Sequence, residues 1–486
     1  MTVANPRYTS TIKVAILITV SGLILLSGCT VGPKYVQPTV PPPPVAFKEL
    51  PHNWAQATPQ DQIPKGKWWE IYQDPQLNSL EEKIAVSNQN LKAAYEEYMS
   101  TRDVVREARS QLFPTVGVQS SALRTRLSNN RPTATALTKN QYNDIALQGD
   151  ISYEIDLWGQ VRRTIESARE NAQASAGDLE NVNLSLHAEL ATDYFSLRGL
   201  DLQKQLLDST VVDFQRALEL TQIRFRGGVA SDVDVSLAQT QLDTARSQDI
   251  DTGVQRAQLE HAIAVLTGQT ASTFSIPPSP LTALPPQIPT ALPSQLLERR
   301  PDIAAAERRV ASANAQIGIA IAAYYPQISL SGAGGLESDA IGSVLNGSSA
   351  LWSVAGSAFE TVIDGGRRRA VTQQARDQYA ATTASYRENV LEAFQQVEDN
   401  LAALRILEQE SVTQQAAVIS AKRSVTLSTA RYKEGATTYL EVLTTQSTAL
   451  ASERTAADLM TRRMVANVQL IKALGGGWDK TQLPKL

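Results

Sequence analysis

Two hydrophobic periods alternate along the chain, and each occurs twice. From Ile145 to Leu157 the odd positions (Ile145, Leu147, Gly149, Ile151, Tyr153, Ile155, Leu157) are apolar or glycine. Ala146, Gln148, Asp150, Ser152, Glu154 and Asp156 form the other face. That period of two predicts a strand over about 142–157 with one apolar and one polar face. A partner over about 113–127 alternates less cleanly. A second pair is expected at about 325–336, where Ile328 and Leu330 alternate with Gln327, Ser329 and Ser331, and at about 350–363. Polar loops join each pair, at about Ser128–Gln141 and Glu337–Ser349.

Helical stretches flank the strands. Leu77 to Leu112 reads as helix stopped by Pro114. Arg162 to Arg226 holds no proline and only Gly177 and Gly199, and Arg367 to Lys433 holds neither proline nor glycine. In the latter, Val390, Phe394, Val397, Leu401 and Leu404 step by four and three, and the frame resumes at Val418, Ala421 and Val425. This is a coiled-coil seam. About 65 residues at ~1.5 Å each make rods of nearly 100 Å. Gly228 and Gly435 suit the left-handed turn that ends each rod. Ser231-Asp232-Val233-Asp234 and Thr438-Tyr439-Leu440-Glu441 then read as capping boxes, with returning helices to about Leu266 and Leu474.

The chain is one unit written twice. "RFRGGVASDVDV" (Arg224–Val235) aligns with "RYKEGATTYLEV" (Arg431–Val442), and "LKAAYEE" (Leu91–Glu97) with "IAAAERR" (Ile303–Arg309). This gives a first repeat over 77–268, a proline-rich linker over 269–293, a second repeat over 294–474 and a tail over 475–486. Hairpin tips are expected at about 226–231 and 433–438.

Composition narrows the function. Net charge is −4 with no basic run, which argues against nucleic acid. The three histidines, His52, His187 and His261, lie far apart and there is one cysteine, so no metal or catalytic cluster is expected. The expectation is a protein with no catalytic residue, no metal and no cofactor beyond a covalent lipid.

Strands of about 13 residues cross a bilayer when tilted, and their two-faced pattern suits a barrel wall. Four strands cannot close, and open edges do not survive in lipid. Two copies would give an eight-stranded barrel that side chains nearly fill, and three give twelve strands with a lumen. Phe113, Trp158, Tyr324 and Tyr325 on the helix side, and Tyr142 and Trp352 on the loop side, are candidate membrane-interface aromatics.

The N-terminus carries a sorting signal. Arg7 and Lys13 precede an apolar run from Val14 to Leu26, too short to span a bilayer. Leu26-Ser27-Gly28-Cys29 resembles a bacterial lipobox, implying a signal peptide over 1–28 and lipid attachment at Cys29. Thr30 after the cysteine fits sorting to the outer membrane. The stretch 29–76, with Pro41–Pro44, then reads as an extended lipidated tether.

The lipobox, "YEIDLWGQVRR" (Tyr153–Arg163), "LLERRPDIAAAE" (Leu296–Glu307), "DGGRRRA" (Asp364–Ala370) and the two tips together resemble the TolC-like outer-membrane efflux factors, in their OprM and NodT-type lipoprotein branch. The resemblance covers nearly the whole chain from Cys29. It implies a mainly α fold with a β-barrel part: a homotrimer with a twelve-stranded outer-membrane barrel continuous with a long periplasmic α-helical barrel. It implies a passive exit duct of a Gram-negative tripartite pump, working with a periplasmic adaptor and an inner-membrane pump and exporting drugs or other small molecules. A type I secretion outlet of the same family, or a non-channel adaptor or spacer lipoprotein, is the alternative. The resemblance places adaptor contact at Gly227, Gly228, Val229, Ala230, Gly435, Ala436 and Thr437. It makes Asp234, Tyr432 and Glu441 candidates for a periplasmic gate, although Asp234 and Glu441 also read as capping carboxylates. Thr437 stands where some members have arginine, and Thr444 where some have aspartate.

Overall fold

The computed structural model describes residues 30–44, 46–49, 66–132, 140–288 and 296–485. Signal and lipid-attachment residues 1–29 lie outside them. The order is α1 (Pro75–Ser87), α2 (Gln89–Ser110), β1 (Thr115–Arg126), β2 (Gln141–Ile155), α3 (Gln160–Arg226) and α4 (Asp232–Leu266). The second copy follows with α5 (Pro301–Ala322), β3 (Gln327–Ser338), β4 (Ala350–Phe359), α6 (Arg367–Lys433) and α7 (Tyr439–Ala473). The first expected helix is two helices. Asn88 takes an extended backbone, and its side chain caps α2 by accepting from Leu91 N at 2.9 Å. The fourth strand ends at Phe359, short of 363, because the chain turns there toward the glycine pair 365–366.

The strands form one antiparallel sheet in the order β1-β2-β3-β4. Paired residues share a face, so the register sorts the side chains. Val116, Ile151, Gly332 and Val354 stand in one row, and Val118, Gly149, Gly334 and Trp352 in the next. The opposite face holds Gly117, Asp150, Ala333 and Ser353, then Gln119, Gln148, Gly335 and Leu351. Val116, Val118, Trp352 and Val354 are all exposed.

Each strand-to-rod elbow is built alike, which explains two of the sequence motifs. Asp156 accepts from Val161 N at 3.1 Å and from Arg162 N and Nε at 3.0 Å each, capping α3. Asp364 accepts from Arg368 N at 3.1 Å and Nε at 2.7 Å, capping α6. The intervening turns need Gly159, Gly365 and Gly366, all at positive φ.

The rods meet in a core belt around their middles, where Leu190, Leu197, Val397, Leu401, Met464 and Leu470 are buried together. The proline-rich linker is pinned across it. Ile276, Leu281 and Ile288 join the core, Arg198 Nη1 and Arg256 Nη2 donate to the carbonyls of Pro277 and Ile276, and Ser279 N donates to Asp201. Of the tether expected over 29–76, residues 30–44 and 46–49 form no helix or strand and are docked on the rods, whereas Trp68–Tyr72 form a short 3-10 helix with Trp68 and Trp69 buried. Arg163 reaches the carbonyls of Val31 and Pro33, Arg387 that of Thr39, and Glu398 caps Lys48 N and Glu49 N. Phe47 is buried in the belt.

Alanine-rich α5 lies against α3 at backbone distance. A Cβ on Gly177 would sit 2.9 Å from the Pro301 carbonyl and 3.0 Å from Ala305 Cβ. Gly177→Val should therefore lower stability by about 1–3 kcal/mol, read as a fall in the thermal midpoint followed by circular dichroism.

A buried pair gives a pH signature. His187 Nδ1 lies 2.6 Å from Glu81 Oε2, and Trp69 stacks on the imidazole at 4.3 Å. Burial pushes Glu81 well above its ordinary 4.5 and lowers His187 from 6.5 to about 4, leaving a protonated carboxyl beside an uncharged ring. Between pH 4.5 and 6.5 the folded and unfolded pairs each hold one proton, so stability is flat. Above that window the unfolded pair holds none against one, and stability falls as pH rises. Just below it the unfolded pair holds two against one, and stability falls as pH drops until His187 itself takes a proton near pH 4. The double variant Glu81→Gln, His187→Asn should flatten this contribution on both sides, measured as thermal midpoint against pH.

Candidate functional site at the helical tips

The far ends of the rods carry the residues that the sequence singles out. In the first tip Gly228 takes φ 73°, and Val229 N donates to Arg224 O at 2.9 Å, closing α3. In the second, Gly435 takes φ 78°, and Ala436 N donates to Arg431 O at 2.8 Å. Only glycine adopts this backbone freely. Val229, Val233 and Leu440 are exposed at the tips.

The return helices begin differently. Ser231 and Asp234 form a full capping box, Ser231 N donating to Asp234 Oδ2 at 2.9 Å and Asp234 N to Ser231 Oγ at 3.2 Å. The expected second box is absent. Thr438 makes no side-chain cap. Glu441 instead accepts from Thr437 Oγ1 and from Arg431 Nη1, the latter at 3.2 Å. Thr437, one residue earlier, and an arginine on the preceding rod outcompete the backbone for that carboxylate. Asp234 is thus a capping carboxylate and Glu441 is not.

The three candidate gate residues make no hydrogen bond to one another. Tyr432 is buried and packs edge-on against Tyr439 with centroids 5.6 Å apart, and its hydroxyl has no partner. Arg224 holds it. The guanidinium lies 4.6 Å from the Tyr432 ring centroid, and Nη1 donates to the Lys433 carbonyl at 3.1 Å. This clasp ties the first hairpin to the second. Below it the hairpins share a core of Phe214, Leu218, Leu242, Tyr432, Tyr439 and Val442. Sequence reasoning assigned Arg224 no role. Its signal was the arginine that opens both tip repeats. Arg431, the matching residue, pairs within its own hairpin, whereas Arg224 reaches across.

At the opposite end, Trp158 stacks on Tyr325 at 4.7 Å and donates to the Pro326 carbonyl at 2.9 Å, and Arg368 lies over Tyr324 at 5.3 Å. Phe113 is exposed beside them. Trp352 stands on the apolar sheet face. Tyr142 pairs with Thr125 and shares the polar face with Asp150, so it does not belong to a lipid-facing set. Thr30 packs on Gly159, placing the start of the described tether at this elbow. Among the described residues no helix is long and apolar enough to cross a membrane, and no His, Cys, Asp or Glu cluster could hold a metal ion.

The duplicated unit matches a family model described as outer membrane efflux protein over residues 80–269 and 292–476. The chain belongs to the outer membrane efflux protein family. The solvent efflux pump outer membrane protein SrpC of Pseudomonas putida is 31% identical over 468 residues, covering 95% of this chain and 98% of that protein. The outer membrane protein OprJ of Pseudomonas aeruginosa is 29% identical over 474 residues, covering 95% and 96%. The solved channel OprN superposes with a TM-score of 0.86 at 28% identity, covering 93% of this chain and 100% of that one. The open MtrE channel of Neisseria gonorrhoeae gives 0.80 at 26%, covering 93% and 99%. The fold is that of the TolC-like outer-membrane channels, and the chain is an efflux channel rather than an enzyme. The adaptor and spacer alternatives fall with this match.

Removing the clasp tests the tip's energetics. Arg224→Ala should cost about 0.5–2 kcal/mol, seen as faster hydrogen exchange at the amides of residues 227–229 and 434–436. Tyr432→Phe keeps the ring and deletes an orphan hydroxyl, so protection there should hold or rise.

Proposed function

We propose that three copies of this efflux channel close a twelve-stranded barrel in the outer membrane and a helical duct below it, through which small organic molecules leave passively. The open sheet carries this reading. Among the described residues there are four strands, the sheet edges β1 and β4 have no neighbouring strand, and one face is apolar. Along β2 that face runs from Ile155 to Ile145, which is about 34 Å of strand and about 25 Å of height at barrel tilt. Backbone edges at that depth must be paired, and further copies supply the strands.

The cysteine at position 29 is the lipid attachment point. Thr30, the first described residue, packs against Gly159 beside the Trp158–Tyr325 stack, which supports a lipid anchor at this end of the molecule. The tips receive the adaptor of a tripartite pump. Their glycines allow close helix approach, and exposed Val229, Val233 and Leu440 supply apolar contact. The relatives named for solvent and toluene efflux support small organic cargo.

The polar sheet face lines the lumen and carries one sign of charge. Asp144, Asp150, Glu154 and Glu337 share it, with no lysine or arginine among its strand positions. Cations should permeate in preference to anions. Asp150→Asn with Glu154→Gln should lower the cation-to-anion permeability ratio, read as a shifted reversal potential in planar bilayers under a salt gradient.

The deciding test is the native mass of the full chain extracted in mild detergent. Three acylated copies per particle are expected. A monomer leaves the sheet open and overturns the duct.

A further inference from the structure

The outward face of β1 changes character along its length. Val116, Val118, Ser120 and Ala122 are followed in the same register by Arg124 and Arg126. On β2 the matching change comes after Ile145, where Asn143 pairs with Arg124 and Gln141 with Arg126. Both arginines are exposed. They stand at the loop end of the sheet, opposite the rods, hence at the outer surface of the outer membrane.

Neither arginine has a carboxylate partner among the described residues, and the sequence contains no Asp or Glu from Thr115 to Asn143. Arg124 is held by a neutral group. The Gln141 amide, with its oxygen turned toward it, accepts from Nη2 at 3.2 Å and Nε at 3.3 Å. Arg131 follows in the adjoining loop, tied to the Asn140 side chain at 3.0 Å, which is again neutral. On the outward face neither guanidinium is therefore in contact with a carboxylate among the described residues, and both sit just past the apolar band. Arginine on a lipid-facing strand is costly at mid-depth, and the cost vanishes at the interface. There a guanidinium without a carboxylate contact meets headgroup phosphates, which its planar fork binds bidentately.

We propose that Arg124 and Arg126 form a binding surface for the phosphorylated lipid headgroups of the outer leaflet. The assignment rests on the barrel reading above, since the register defines an outward face only once the sheet closes. β1 is an edge strand, so in the closed barrel each arginine pair flanks a seam between copies. A headgroup bound there touches both sides and resists dissociation of the assembly. The lumen acids lie on the opposite face of the same strands, so the wall is acidic within and basic at its outer rim.

The test uses the full chain in mild detergent with three probes: diphosphoryl lipid A, the same lipid stripped of phosphate, and inorganic phosphate. Native mass spectrometry reads lipid retained per particle and the temperature at which copies separate. The wild-type assembly should retain diphosphoryl lipid A and separate at a higher temperature with it. Binding should weaken roughly tenfold to thirtyfold on dephosphorylation or in R124Q/R126Q. R124K/R126K keeps the charge but loses the bidentate fork, so it should assemble and bind between the wild type and the glutamine variant, which separates charge from folding if the glutamine variant fails to assemble. Equal retention of both lipids, or by the assembled glutamine variant, overturns the proposal. Equal stabilisation by inorganic phosphate overturns the lipid assignment in favour of a soluble-anion site. A wild-type monomer instead overturns the barrel reading, and is seen in the same spectrum.

Discussion

Everything in this chain answers to the rule that backbone polar groups cannot stay unpaired in hydrocarbon. Four strands with an apolar face satisfy their inner ladders and leave β1 and β4 with open edges. Such a sheet is stable at membrane depth only as part of a larger closed wall. The rods obey the same rule by another route, since a helix pairs its own backbone and is free to stand in water. The elbow between the two regimes makes specific demands on residue type. Asp156 and Asp364 each satisfy donors at the start of a rod, and the glycines between strand and helix take backbone conformations that other residues resist.

The rods in turn depend on small residues. At α3 against α5 the contact is alanine and glycine on backbone, so the helices approach closely along the membrane-proximal length. Large side chains gather instead in the belt, where the linker, α1 and the ends of α4 and α7 converge. The tether repeats the pattern. A Cβ on Gly32 would lie 2.5 Å from Gly318 Cα and one on Gly318 would meet the Arg163 side chain, and the strap then follows α6 down to Glu398. A segment that composition presents as a loose leash is a structural strap, because its carbonyls find Arg163, Asn314 and Arg387.

That contrast marks what was legible in the sequence. Periodicity suffices for the rods, the strands and the duplication, because each is a local pattern sustained over many residues. The glycine turns at 228 and 435 are legible for the same reason. The break at Asn88 is not, since one capping side chain decides it. Nor is the fate of Glu441, whose capping-box spacing is intact. Its carboxylate is taken by Thr437 and by Arg431, ten residues earlier on another helix. The side of the sheet on which Tyr142 falls depends on register, which only pairing fixes. Arg224 is hardest of all. Its repeat partner Arg431 looks equivalent, and the two diverge only in three dimensions.

The divergence bears on symmetry. Duplication gives each chain two hairpins of nearly equal length, so three chains would present six similar tips. The tips are not equivalent in chemistry. One is closed by a serine–aspartate box, and the other by an arginine and a threonine on a shared glutamate. One lends an arginine across to its sister, and the other receives it on Tyr432. The periplasmic end of a three-chain duct would therefore be three-fold in its bonding although close to six-fold in its outline. A partner that packs on helix shape meets six similar grooves. In a duct of three chains, a movement that loosens Arg224 from Tyr432 would meet three clasps, one per chain, each joining two hairpins that also share an apolar core and a bond from Gln241 Nε2 to Ser447 Oγ at 3.1 Å.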